Sequence, residues 1–416
     1  MARKKAEVVV ASNKMSPLAN VEKIIGKIFK GNDVIVQLDP EVLTESLPYY
    51  PSGSFVMDYL IGGKLNTHGV APCPGFPGGR VTQLYGNPSS GKTTLALTTC
   101  GQVAAMGGCA LYIDWENEVV PDYANQLGVP ISDRSKFLLV QPDTLEDGMK
   151  IAWAAAASGV DLIVLDSVGA GVPKDVFEQK VEDQGKESRL ALNASKWSAF
   201  LPKFKAVCKK SGTAVLGIAQ IRANPGAMGH GDKTTVQGGN AWKFYAALRI
   251  KLSRISQLKA KRINPLTNAV EDVSVGGKIQ ARIEKCKVSS SQGAEQVFYI
   301  RWGTGIDNLA SYIDVGAAHN VIKQSGSWYS MTLPDGSEFR CQGAEKFALQ
   351  MGEDPKLLAA VHKQVVAALS QSSYQKSAPP ADAEVDIEDA LEGMPDMSDA
   401  PVDDKAEDED EDEDED

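Results

Sequence analysis

From Arg80 onward the chain alternates short apolar runs with longer stretches of helical periodicity. Val81–Tyr85 reads as a strand leading into a glycine-rich turn, and residues 92–106 as the helix that follows. Cys109–Ile113 is the next strand, with an acidic segment after it, and Phe137–Val140, Leu162–Leu165 and Ala214–Ile218 are further short apolar runs separated by helical stretches. Strands alternating with helices predict a mostly parallel sheet covered on both faces, hence an α/β fold. Segments 245–255, 278–287 and 295–302 read as additional, partly antiparallel strands, and residues 311–370 as a smaller α+β unit with helices near 344–350 and 355–369. Near the start, Leu18, Val21, Ile24, Ile25 and Ile28 recur at helical spacing with Lys23, Lys27 and Lys30 elsewhere on the surface. That amphipathic helix covers either this protein's own core or a neighbour. Residues 66–79, rich in Gly and Pro, read as a loop.

Four segments follow from this pattern: a helical segment and linker over 1–50, an α/β core over 51–310, a small C-terminal domain over 311–371, and a tail over 372–416. The tail turns to Ser, Gln, Ala and Pro and then to acid, a composition too poor in apolar surface to fold alone. Over all 416 residues, 43% are hydrophobic and 23% charged, which excludes a wholly disordered or fibrous chain. The formal charge is −11, but residues 381–416 hold 20 acids and a single base, Lys405. The rest of the chain is therefore net basic, and this split is associated with nucleic-acid interaction. Six scattered cysteines without a C-x-x-C pair argue against a zinc site or a disulfide framework and for reduced thiols. No apolar run approaches the length of a membrane span, and the first residues lack a secretory core, so a cytoplasmic protein with no membrane partner is expected.

Gly86, Asn87, Pro88, Ser89, Ser90, Gly91, Lys92 and Thr93 fit G-x-x-x-x-G-K-[ST], between a predicted strand and a predicted helix that continues through Thr94. Glycines let backbone N–H groups wrap phosphates, and the helix N-terminus adds a positive dipole. Lys92 is expected to reach the β- and γ-phosphates of ATP and Thr93 to ligate Mg²⁺. Asp166, ending the run Leu162–Leu165, supplies the acid that holds the Mg²⁺ shell through water. Glu116, just past another strand, is placed to activate water, or is simply a surface or capping acid. Gln220, where Ala214–Gln220 emerges, is a γ-phosphate sensor or a capping amide.

These motifs, with GRVTQLYGNPSSGKTTLAL, ALYIDWENEVVPDYANQLGV, LLVQPDTLEDGMKIA, LIVLDSVGAGVPK, IAQIR, QGGNAWKFYAALRIKLSRI and SGSWYSM in this order, resemble the bacterial and phage RecA recombinases from about residue 51 to 370. The resemblance implies a RecA-type P-loop ATPase core. It implies ATP and Mg²⁺ as cofactors, filaments of the protein with itself on single-stranded DNA, and pairing with homologous double-stranded DNA. Single-strand-binding and mediator proteins are the further partners it suggests. Carried over by position, Glu116 is the catalytic base, Gln220 the γ-phosphate switch, and Tyr123 the adenine stacker with Trp302 and Gly303 nearby. Lys285 and Lys287 fall where the family reaches the γ-phosphate of the neighbouring subunit; read alone, KCK is also a solvated strand face.

The same resemblance assigns two DNA loops, at about 172–188 and 222–239. Arg222, Gly238, Gly239 and Asn240 match the second loop's motif, Arg189 and Lys196 match basic positions after the first, and Arg254 and Arg282 match a secondary DNA site. Trp242 and Phe244 are assigned to packing or the subunit contact. The chain departs from the family in having Gly-His230-Gly at the middle of the second loop, a highly charged first loop, an insertion at Pro72–Pro77, and Val120 near the family's adenine-side acid. Two other functions share the loop and the Asp: a ring helicase of the same superfamily, and a single-strand-binding scaffold without hydrolysis. The unbroken acidic run Glu407–Asp416 is a brake on DNA binding or a solubility tail. Truncation after about Ser377 is expected to strengthen duplex uptake and lower the Mg²⁺ requirement; duplex binding unchanged at both low and high salt leaves only the solubility role.

Overall fold

The computed structural model describes Leu18 and residues 46–66, 68–178, 186–223 and 234–377. The amphipathic helix expected after Pro17, apart from Leu18, lies outside the described residues, as do the middle of both expected DNA loops, with His230, and the acidic tail.

Strands β1 (Tyr49–Tyr50) and β2 (Phe76–Pro77) form a small antiparallel pair. The central sheet is built from β3 (Val81–Gly86), β4 (Ala110–Asp114), β5 (Phe137–Val140), β6 (Leu162–Asp166), β7 (Ala214–Ala223), β8 (Thr234–Val236), β9 (Leu248–Ile263), β10 (Val270–Cys286), β11 (Glu295–Arg301) and β12 (Gly305–Ile306). Its order is β12-β11-β10-β9-β3-β7-β6-β4-β5, with β8 pairing β7. Neighbours from β9 to β5 run parallel, and β9 to β12 are antiparallel. The expected mostly parallel α/β sheet is therefore present. Its parallel strands are fully buried in the middle because helices cover both faces.

Alternating residues of each strand feed two cores. On one face Leu84, Tyr112, Val164 and Leu216 pack with Leu95 and Cys100 of the helix Lys92–Ala105. On the other, Val81, Ile113, Ile163 and Val215 meet the helices Leu145–Ala157 and Lys186–Ser211. Three indoles anchor this second core: Trp197 stands 6.4 Å from Trp115 and 5.0 Å from Trp242, both edge to face. Close packing of the rings demands missing side chains beside them. A Cβ on Gly148 would lie 2.1 Å from Trp115, and one on Gly217 2.3 Å from Trp242.

The antiparallel strands are longer than the apolar pattern suggests. Sequence periodicity stops the first at 255 and starts the second at 278, whereas pairing continues outward to Ile263 and Val270. Cross-strand hydrogen bonds rather than burial sustain that outer part, so no apolar alternation marks it.

The C-terminal domain packs the helices Asn308–Ala318, Ala344–Glu353 and Pro355–Ser377 with the antiparallel strands β13 (Lys323–Ser325), β14 (Trp328–Thr332) and β15 (Glu338–Gln342). Ile322, Met331, Phe347, Met351, Val361 and Val365 form its core. The last helix runs past residue 371, beyond where the composition turns polar. Phe55 stacks on Tyr312 at 4.0 Å, and the Asn308 amide donates to Gly53 O at 2.8 Å, joining this domain to the α/β core.

Close to that junction the Asp58 carboxylate accepts from Ser52 N at 2.8 Å, and burial pushes its pKa up to about 7. A carboxyl whose native pKa exceeds its unfolded value destabilises the fold once ionised, so its penalty grows as pH rises from about 4 to 7. Asp58→Asn keeps the acceptor and removes the charge. It is expected to raise stability by about 1–2 kcal/mol at pH 8. The gain should shrink at pH 5, as read by thermal unfolding at both pH values.

Candidate active site

The carboxyl ends of β3, β4, β6 and β7 converge on one site. β3 ends at Gly86, and the turn to the helix Lys92–Ala105 passes through Ser89 at φ 59° and Gly91 at φ 87°. A Cβ on Gly86 would stand 2.1 Å from Leu252 O, and one on Gly91 2.3 Å from Ile300 Cδ1, so the loop closes tightly only with glycine at both places. Gly91 caps the helix without a side-chain acceptor, which leaves the first-turn N–H groups for an anion. That cradle fits a phosphate chain.

The Lys92 ammonium is held inside the loop, donating to Asn87 O at 2.9 Å, Gly86 O at 3.2 Å and Ser90 Oγ at 3.4 Å. Burial lowers its pKa, while the Asp166 and Glu116 charges act in the opposite direction. Thr93 Oγ1 donates to Asp166 Oδ2 at 3.0 Å, and Tyr112 donates to the same oxygen. Burial, with Glu116 and Asp114 adding to it, pushes Asp166 up to about 6 against those two hydrogen bonds. A hydroxyl and a carboxylate side by side are hard oxygen donors that suit Mg²⁺. Thr94 Oγ1 hydrogen-bonds Tyr123 OH at 2.9 Å, which fixes the tyrosine beside the start of the helix.

Glu116 sits on a loop that Asp114 shapes. One Asp114 oxygen accepts from Glu116 N at 3.0 Å and Asn117 N at 2.8 Å; the other accepts from Val119 N at 3.3 Å and Gln141 Nε2 at 3.2 Å. Trp115, between the two acids, pins the loop from behind by donating to Thr144 O at 3.2 Å. Glu116 Oε1 accepts from Gln220 Nε2 at 3.0 Å and from Ser167 Oγ. Glu116, Gln220, Arg222, Gln237 and Leu190 line a cleft of about 540 Å³ with Trp115 at its floor.

At the base of the second loop, β8 returns alongside β7, with Ile221 opposite Val236. Gly238 and Gly239 have φ of 88° and 80°, and Cβ atoms there would strike Val168 at 2.7 Å and Ala194 at 2.6 Å. Both are thus required where this loop crosses the core. With its amide turned, Gln237 accepts from Arg222, and Asn240 opens the helix Ala241–Tyr245.

Lys92, Thr93, Asp166, Glu116 and Gln220 come together in one chain. Lys285 and Lys287 stand elsewhere, at the end of β10. Lys285 Nζ donates to Lys243 O at 2.6 Å and Phe244 O at 2.9 Å, and burial with the Lys287, Arg249 and Lys205 charges lowers its pKa. Phe244 beside it is exposed. Trp302 follows β11, its indole donating to Ser274 Oγ at 3.2 Å, and Gly303 turns the chain at φ 84°. Lys196 is tied to Glu146 at 2.9 Å and Asp175 at 3.2 Å. Arg282 lies 3.9 Å from Glu295 on the neighbouring strand, and Arg254 is exposed on β9. Arg189 is in the first turn of the helix Lys186–Ser211. Sequence reading passed over Ser167, Tyr112, Asp114 and Gln237. Ser167 directly follows the strand-ending Asp166, and Asp114 precedes Asn117 by three residues as in a side-chain-capped turn, so both left a trace.

Comparison with known proteins agrees along nearly the whole described chain. The RecA N-terminal domain profile matches residues 16–307, and the RecA C-terminal domain profile matches residues 310–370. Protein RecA of Methylococcus capsulatus is 34% identical over 351 residues, covering 84% of this chain and 90% of that protein. Protein RecA of Thermus thermophilus is 35% identical over 357 residues, 85% of this chain and 94% of its own. Protein RecA 1 of Myxococcus xanthus is 35% identical over 350 residues, with coverages of 84% and 91%. Among the described residues no helix is long and apolar enough to cross a membrane. The chain belongs to the RecA family, DNA-dependent ATPases that use ATP and Mg²⁺, assemble with themselves on DNA and carry out strand exchange in recombination and repair.

Proposed function

We propose that the cluster at the strand ends is the ATPase centre of this recombinase and that Glu116 is its general base. The observation that carries this reading is the shared Glu116 Oε1, bonded to Gln220 and Ser167 one strand away from the Thr93–Asp166 pair. ATP supplies the γ-phosphoryl group, and Mg²⁺ held by Thr93 with Asp166 would neutralise the charge that develops on it. Residues 86–94 hold the phosphates, Lys92 compensates their charge, and Thr93 with Asp166 orients the metal shell. Tyr123, with Trp302 and Gly303, flanks the base. Glu116 accepts the proton of the attacking water while Asp114 keeps its loop in place.

Gln220 has a second partner to choose. It holds Glu116 in this structure, and turning toward a γ-phosphate releases that carboxylate for water. Gln220 and Arg222 lie two residues apart on β7, hence on one face, so a shift at Gln220 reaches the base of the DNA loop directly. Arg222, Gly238, Gly239 and Asn240, with Arg189 and Lys196, contact single-stranded DNA; for Lys196 this requires exchanging its two carboxylate partners for phosphate. Arg254 and Arg282 contact the incoming duplex. Lys285 and Lys287 complete the site of the adjacent subunit, which is supported by their separation from the Glu116 cluster and by the exposed Phe244 beside them. Six free thiols, four of them buried, support a reducing compartment, the cytoplasm.

Lys92→Ala is expected to abolish ATP-dependent filaments on single-stranded DNA in electron micrographs and to lower ATPase activity at least about 100-fold. Normal assembly in that variant overturns the site. Glu116→Ala and Lys285→Ala should each be nearly inactive, yet mixed filaments should regain ATPase activity at subunit pairs that retain both groups. Mixtures no more active than either variant alone rule out the cross-subunit role of Lys285.

A further inference from the structure

The outer part of the β9–β10 hairpin has no place in the ATPase chemistry. β3 flanks β9 only over Leu248–Leu252, and β11 flanks β10 only over Gly276–Arg282. Beyond these points, among the described residues, the two strands pair only with each other, out to Ile263 and Val270. About five residue pairs at ~3.3 Å per residue make a ribbon reaching roughly 17 Å past the sheet, plus its tip. Ser274 and Val275 tie its root to Trp302. A bare two-stranded ribbon is only marginally stable alone, and its length calls for a partner.

Charge and shape identify that partner. The outgoing strand carries Arg254, Lys259, Lys261 and Arg262, all exposed, and none makes an ion pair among the described residues. The outer part of the return strand carries two acids, Glu271 and Asp272, and Glu271 is engaged by the Asn264 amide at 3.0 Å. At the tip, Asn264 Oδ1 accepts from Leu266 N at 2.9 Å, and Asn268 N donates back to Asn264 O at 2.8 Å, with Asn268 at φ 55°. This locally bonded turn holds Pro265 and Leu266 at the apex. Leu266 is 93% exposed, more than any other large apolar side chain described. The bonded turn thus fixes one apolar side chain at the far end of a cationic ribbon.

A cationic ribbon with an apolar apex suits duplex DNA: cations meet phosphates along a groove, and Leu or Pro wedges between base pairs. We propose that residues 254–275 form an arm for double-stranded DNA, with Lys259, Lys261 and Arg262 on the backbone and Pro265–Leu266 inserted from the minor groove to unstack one base step. The arm prepares an incoming duplex for opening before it is compared with the bound strand. It goes beyond the nucleotide-site assignment and does not depend on which residue is the general base.

The test uses the full-length protein with ATP and a 30-base-pair duplex carrying 2-aminopurine. Wild type should raise the probe's fluorescence on binding, and Leu266→Ser should lose most of that rise while single-strand-dependent ATPase stays at the wild-type level. The triple variant Lys259→Gln, Lys261→Gln, Arg262→Gln should flatten the log–log salt dependence of duplex binding by about 2–3, close to one per lost phosphate contact. A full fluorescence rise in Leu266→Ser, or an unchanged salt slope in the triple variant, overturns the arm. So does a tip substitution that alters sedimentation without DNA and leaves duplex unstacking intact, since the tip is then a protein contact. Failure of the nucleotide-site assignment is read separately, as wild-type-like ATPase in Lys92→Ala.

Discussion

Crowding of charge at the sheet's carboxyl edge governs this molecule. Asp114, Asp166 and Glu116 end or follow adjacent strands β4 and β6, with Lys92 the buried cation beside them. Bringing carboxylates together in a low-dielectric place is unfavourable, and each hydrogen bond around them answers that cost. Tyr112 and Thr93 stabilise Asp166, four donors surround Asp114, and Gln220 and Ser167 share Glu116. Such a site suits a divalent cation, in keeping with the Mg²⁺ that RecA-family ATPases use.

From there the sheet transmits. β7 is one continuous strand through Gln220 and Arg222, and its partner β8 leads back to Gly238 and Gly239. Glycine at both positions lets the loop's root lie directly on Val168 and Ala194, on the segment after Asp166 and the helix Lys186–Ser211 respectively. The Glu116–Gln220 cluster and the segment around Gly238 and Gly239 consequently share packing as well as a strand. A displacement at either has few soft contacts in which to dissipate.

Much of this was legible in the sequence. The parallel strands were visible because burial on both faces makes them continuous apolar runs, and the loop 86–93 because its glycines and lysine recur at fixed spacing between strand and helix. Lys92, Thr93 and Asp166 were named from those patterns, Glu116 and Gln220 received their roles only through the family resemblance, and the fold gathers all five. The long hairpin was not visible. Its outer strands are held by pairing alone, face water on both sides and show no hydrophobic period. Ser167 and Gln237 were missed for a different reason: Ser167 left only its place after Asp166, and the partners of the two, Glu116 and Arg222, are evident only in three dimensions. The RecA C-terminal domain over 310–370 also decides against the ring helicase, which the shared loop and Asp could not do.

The three indoles behind Glu116 carry one more consequence. Trp115 adjoins Glu116 in sequence, Trp242 lies under Gly238, and Trp197 bridges them at 6.4 and 5.0 Å. Chromophores this close couple electronically, so their absorption and emission belong to the trio rather than to any one ring. A tilt of Trp197 by a few degrees changes that coupling without changing anyone's exposure to water. Emission from the trio therefore answers to small displacements in the part of the core where the segment after β4 and the segment before Trp242 meet.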